Sequence, residues 1–287
     1  MSGSPPDPSR DRARIAELVG EGRLDQAAFR ARSLSAMDPE DRAAAADAAV
    51  TAWIAEAVLP RDRPTAWRDT FRGALERLPG ASSEVDLAVR RFLARGLSRA
   101  AELSGTKGGV LDGEPVGGYL LAASLPEEAA ASLYGTIARA PASGRAALLL
   151  GNALLRLERV EEARDAYRRA FRVSPYELEL GSVDDPEVRG LEPLAKDLHL
   201  DGDVRAWLPA IGLLEDVLPF SALDPVPGAG FGQATRVYDL LIAHKGARSH
   251  GERMAIRRDL RELAPELFDA LLVSRKLDAA PMPAGTA

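Results

Sequence analysis

Side chains able to do chemistry are few in this chain. The 287 residues contain no cysteine, which excludes disulfides, thiolate nucleophiles and thiolate metal sites. Three histidines remain, His199, His244 and His250. His244 and His250 flank KGARS and could be imagined holding a metal, yet no carboxylate sits at ligand spacing between them, and Glu252 would have to fold back. His199 reads as the end of a helix, where a partial positive charge suits the helix dipole. Gly228, Gly230 and Gly232 precede a helix as the glycines of a phosphate cradle do. The stretch lacks the Lys-Ser/Thr that closes such a loop, and no strand leads into it, so a flexible connection is the better reading. The same holds for GTKGG at 105–109. No nucleophile and base stand at recognisable spacing, and the expectation is a protein that is not an enzyme and holds no cofactor or metal.

Two charged neighbourhoods could instead serve binding. Asp184, Asp185, Glu187, Asp197, Asp201 and Asp203 crowd one hairpin, where Asp201-Gly202-Asp203 is only a fragment of a calcium-loop ladder. Helix capping accounts for most of these carboxylates. Arg253, Arg257 and Arg261 recur every four residues with Arg248 and Arg258 nearby, but no aromatic residues are interleaved for base stacking. Glu252, Asp259 and Glu262 share that helix and partly neutralise it, so a solvated face is favoured. A net charge of −6 argues against a general binder of nucleic acid or anionic membrane. The 33 arginines against 4 lysines fit the coding bias of a GC-rich bacterium. The opening MSGSPPDPSRDR has no apolar stretch and is not read as a signal peptide. No apolar run is long enough to span a bilayer, and cytoplasm is the default compartment.

The elements that would position these groups are helices. Apolar residues make up 46% of the chain and aromatics only 5%, a composition of packed helices rather than sheets. Asp38-Pro39-Glu40-Asp41 reads as the start of a helix over 39–58, with Asp38 as its cap. Arg63-Pro64 starts another through Arg77, with Trp67, Phe71, Leu75 and Leu78 on one face. Ser82 or Ser83 caps a third reaching about Leu103. Residues 104–115 form a glycine-rich break. Further on, Asp185-Pro186-Glu187 and Asp203 are cap signals, Pro209 should kink or split its helix, and helices are expected over 233–244, 250–263 and 265–276.

The most regular stretch runs over 144–177. On a helix of about 145–157, Leu150 and Leu154 pair at i, i+4, and Gly151 and Ala163 are small enough for two antiparallel helices to approach closely. Val160, Ala163, Tyr167 and Ala170 give the second helix its matching face, and Pro175 stops it. Gly117, Ala129, Leu133 and Pro141 lie 34 residues before Gly151, Ala163, Tyr167 and Pro175. This pattern resembles the tetratricopeptide repeat, with Ala147-x2-Leu150-Gly151-x2-Leu154, Ala163-x3-Tyr167, Ala170 and Pro175 matching its positions and only the leading aromatic missing. A degenerate unit at about 8–41 shares Gly22, Ala27 and Pro39.

The resemblance implies an all-α chain of antiparallel helical hairpins, stacked as a TPR-like α-solenoid with irregular flanking helices. It divides into a disordered 1–9, a helical region over 10–103 with the degenerate hairpin, two repeats over 110–177, a capping region over 178–278 and a flexible tail over 279–287. It also implies a concave groove. Asn152 matches one member of the family's carboxylate clamp, but the lysine position is Leu148, and one repeat earlier stand Glu114 and Gly118, so the clamp is not assembled. A more apolar helix or strand would then touch Leu148, Asn152, Leu155 and Arg156, with Leu111, Gly118, Leu121 and Ala122 beside them. The expected function is a non-catalytic scaffold or adaptor that binds another protein in a bacterial assembly. One alternative is a nucleotide- or metal-binding enzyme using loops 105–109 and 228–232. The other is a self-assembling subunit, for instance a homodimer.

Overall fold

The computed structural model describes residues 7–106, 109–219 and 232–274. Residues 1–6 and the expected tail over 279–287 lie outside these. The fold is all α apart from one two-stranded ribbon, and it divides into two compact units, Met1–Gly135 and Thr136–Ala287. Among the described residues no helix is long and apolar enough to cross a membrane.

The first unit contains α1 (Pro8–Gly20), α2 (Leu24–Met37), α3 (Arg42–Glu56), α4 (Pro64–Arg77), α5 (Ser83–Leu103) and α6 (Val116–Ala122), and the division falls inside α7 (Pro126–Arg139). Helix α5 is the spine, packed by α1 and α4 along its sides, while α2 pairs with α1 and α3. Helix α1 starts inside the stretch expected to be disordered. Asp7 caps it by accepting from the Ser9 N–H, with Pro8 at the first helical position. The start of α3 also differs from expectation. Asp41 rather than Asp38 is its cap, accepting from the Ala44 N–H at 3.0 Å, and Asp38-Pro39-Glu40 forms a turn ahead of it. The glycine-rich break contains strands β1 (Val110–Leu111) and β2 (Glu114–Pro115), joined by Asp112-Gly113 with both φ values positive. Asp-Gly is the sequence such a two-residue hairpin turn calls for.

The N-terminus of α5 is closed from a distance. Asp47 of α3, fully buried, accepts from the Ser82 N–H and the Ser82 hydroxyl, both at 2.8 Å. Arg12 of α1 lies 3.8 Å from the same carboxylate and also pairs with Asp41. Burial pushes the Asp47 carboxyl above its ordinary value of 3.8, an effect that the Ser82 hydrogen bonds and Arg12 oppose and Asp41 reinforces. A folded-state pKa above the unfolded one means the folded protein holds the proton more tightly. The stability Asp47 contributes is therefore greatest below pH 3.8 and falls as pH rises through the raised value. Asp47→Asn should flatten that slope in melts run across acid to neutral pH, while Asp47→Ala should cost about 2 kcal/mol by leaving Ser82 without its partner.

The second unit begins with α8 (Gly144–Arg156) and α9 (Val160–Val173), which pack against each other along their length. Ser143 caps α8 through the Ala146 N–H at 3.2 Å. A Cβ placed on Gly151 would come within 2.5 Å of the Tyr167 ring, so α9 seats its tyrosine where α8 has no side chain. In the first unit Gly117 of α6 receives Leu133 of α7 in the same way, also at 2.5 Å. Short 3-10 turns follow α9, then α10 (Pro186–Arg189), α11 (Leu191–Asp197), α12 (Val204–Leu214), α13 (Gly232–Gly246), α14 (His250–Leu263) and α15 (Pro265–Ser274). The helix that the Asp185-Pro186-Glu187 cap signal opens is divided at Gly190. Pro209 lies inside α12 without ending it.

Candidate functional site

Asn152 of α8, expected to face a ligand, is only 5% exposed. Its Oδ1 accepts from the Tyr167 hydroxyl at 2.6 Å and from the Asp184 N–H at 3.0 Å, and its Nδ2 donates to the Ser182 carbonyl at 2.8 Å. Burial, with Asp184 and Asp185 nearby, raises the Tyr167 pKa, so the phenol keeps the proton it donates. Residues 178–184 thus form a strap along α8. Leu178 and Val183 anchor it in the core, Arg205 holds the Leu178 carbonyl, and Asp184 pairs with Arg156 at 3.0 Å. Leu148 is completely buried, and Leu155 is half-buried. In the first unit Leu111 is buried in a cluster with Leu97, Ala101 and Val116, Leu121 is buried, Gly118 is half-buried and Ala122 is exposed. The expectation that Leu148 and Asn152 present themselves to a partner is therefore corrected: the chain's own strap takes up the polar groups of Asn152, and Leu148 is core.

The acidic neighbourhood is absorbed in a similar way. Asp185 accepts from the Glu187 and Val188 N–H groups and pairs with Arg164, while Asp203 caps α12 and binds Arg205. In α14, Glu252 closes a capping box with Ser249, and Arg257 Nε donates to His244 Nε2 at 3.2 Å. His199 Nδ1 lies 2.7 Å from the Asp197 carbonyl. Among the described residues no three His, Asp or Glu side chains converge to hold a metal. Gly228 and Gly230 of the second glycine loop, and Lys107 and Gly108 of the first, lie outside the described residues.

A different surface of the first unit remains open. Helices α1, α4 and α5 enclose a cleft of about 590 Å³. Its floor is apolar: Trp67 and Phe92 stand 5.7 Å apart between ring centres, beside Leu87 and Ala88. Trp67 is fixed on two sides, by an indole N–H bond to the Pro60 carbonyl at 2.9 Å and by seating on Gly96, where a Cβ would fall 1.9 Å from the ring. The walls carry Arg61, Arg91, Arg95 and Arg99 against a single acid, Glu84. Arg95 holds Glu128 with two nitrogens, at 2.6 and 3.0 Å. Arg91 reaches the Ser124 carbonyl at 3.4 Å, and its Nε is buried without an acceptor. Arg61 and Arg99 are exposed and make no ion pair among the described residues.

No family model, curated protein or solved structure matches this chain. The cleft must be read from its own chemistry. It offers cationic, bidentate donors around an apolar floor, suited to holding an anionic ligand that also has an apolar side. The sequence carries only part of it. Arg91, Arg95 and Arg99 at steps of four on α5 were a visible signal, but the arrival of Arg61 and Trp67 beside them depends on how α4 packs.

Proposed function

We propose that the chain is a non-catalytic scaffold or adaptor, built of tetratricopeptide-like helical hairpins, that binds another protein through the α1/α4/α5 cleft. The repeat reading is supported by the matching Gly117–Leu133 and Gly151–Tyr167 contacts, one in each hairpin at the same sixteen-residue separation. The observation that carries the function is the pair of exposed guanidinium groups, Arg61 and Arg99, which make no ion pair among the described residues and stand at the edge of a half-buried aromatic floor. Elsewhere the buried polar groups Asp47, Asn152 and Asp185 are committed to helix ends and the strap. Exposed apolar surface rimmed by charge is the usual character of a protein-binding patch.

A photo-crosslinking side chain at Leu87, which lines the cleft, should capture a protein in an extract of the native cells. The same group at Leu155 should not, and Arg61→Glu with Arg99→Glu should abolish the Leu87 product. Equal capture from both positions, unaffected by the double charge reversal, would remove the cleft from the account.

A further inference from the structure

We infer that the occupant of this cleft is an acidic amphipathic helix of another protein, its carboxylates lying along Arg91, Arg95 and Arg99 and its apolar edge on Trp67, Phe92 and Leu87. This rests on the reading that the cleft binds a protein. Three features select the occupant. First, the arginines form a row rather than a cage. Residues 91, 95 and 99 are spaced along α5 at about 6 Å per step, the rise of four helical residues, and a helix with acids every four residues repeats at the same interval. A small anion would want donors converging on one point. Second, Glu128 shows that this row accepts carboxylates, because Arg95 already grips one with two of its nitrogens. That pair is solvent-exposed and so weak enough to exchange for an incoming acid. Third, helices supply the lining from residues 16–20 and 84–99, and among the described residues no strand lines the cleft. An extended segment would find no backbone partners there, whereas a helix brings its own satisfied.

A nucleic acid is the competing polyanion. It would need open aromatic faces for stacking, and Trp67 has one face on Gly96 and its N–H on Pro60. The chain's charge of −6 also repels a polyanion that extends beyond the cleft.

The test uses the full chain and a fluorescent synthetic helix with glutamates every four residues on one edge and leucines on the other. The expected result is saturable binding by anisotropy that weakens with salt, with a change in tryptophan emission. Arg61→Glu with Arg99→Glu should weaken it at least about tenfold, equivalent to about 1.4 kcal/mol, and so should a peptide with glutamine in place of glutamate. Both substituted residues are exposed, and unchanged circular dichroism and melting would show the variant folded. Equal binding of the glutamine peptide overturns the acidic occupant yet leaves protein binding at the cleft standing. Tighter binding of a single-stranded oligonucleotide than of the acidic peptide overturns both readings. No binding by any probe overturns the occupant, and the Leu87 crosslink then decides separately whether the cleft takes a different protein.

Discussion

Asn152→Ala is expected to lower stability by about 3 kcal/mol, because one truncation strands three groups at once. The Tyr167 hydroxyl, the Asp184 N–H and the Ser182 carbonyl each lose their partner, and the first of these is buried where water cannot replace it. The loss should concentrate in the strap. Residues 178–184 would detach from α8, exposing Leu178 and Val183, and amide exchange there should accelerate more than in α9. Tyr167→Phe is the milder comparison, since Asn152 Oδ1 keeps its bond from Asp184, and about 1 kcal/mol is expected. Asn152→Asp should behave like the alanine variant. It retains the acceptors but sets a carboxylate against the Ser182 carbonyl in a buried site. Chemical denaturation of the three variants would give the order directly. An Asn152→Ala protein as stable as the parent would show that the strap is not held by this amide.

Gly96→Leu is expected to cost about 3 kcal/mol and to erase the cleft, a combination no exposed substitution should produce. A Cβ at this position would lie 1.9 Å from the Trp67 ring, far inside any real contact, so the indole must leave its seat. Leaving breaks the N–H bond to the Pro60 carbonyl and removes the face against which Phe92 packs. Gly96→Ala makes the same collision with less bulk and should show the same direction. Trp67 emission is the readout, compared in a background where Trp53 and Trp207 are phenylalanine. If Gly96→Leu left both stability and emission unchanged, the described packing of α4 on α5 would be wrong.

These two sites also show what the sequence could and could not tell. Local signals were dependable where one residue closes one helix. Asp185 and Asp203 accept from the N–H groups that their cap positions require, and Pro64 begins α4. Ser249-x-x-Glu252 is a capping box legible in the sequence, and Asp112-Gly113 a hairpin turn. The Asp38–Asp41 cluster misled because two aspartates flank one proline, and only the chain's path decides which carboxylate meets the Ala44 N–H. Gly151 and Tyr167 were readable because their partner is one hairpin away.

Non-local pairings were not readable. Asn152 looked like a contact on an open groove, and nothing near it announces that a segment thirty residues later supplies its partners. The apolar spacing of Leu178, Leu180 and Val183 in an otherwise polar loop was the available hint that this segment is anchored. The same limit hid Asp47, a helical aspartate in a run of alanines whose role is to close a helix beginning thirty-five residues downstream. The cleft combines both cases: its arginine row is local to α5, while its aromatic floor depends on α4.

Hydrogen exchange on the full chain, with and without the acidic amphipathic peptide, reports where the ligand sits. Slowed exchange is expected over 61–67 and 84–99 of the first unit, with 144–184 unchanged and the effect lost in the Arg61→Glu, Arg99→Glu variant. Slowed exchange over 144–184, or none anywhere at saturating peptide, would rule out the α1/α4/α5 cleft as the binding site.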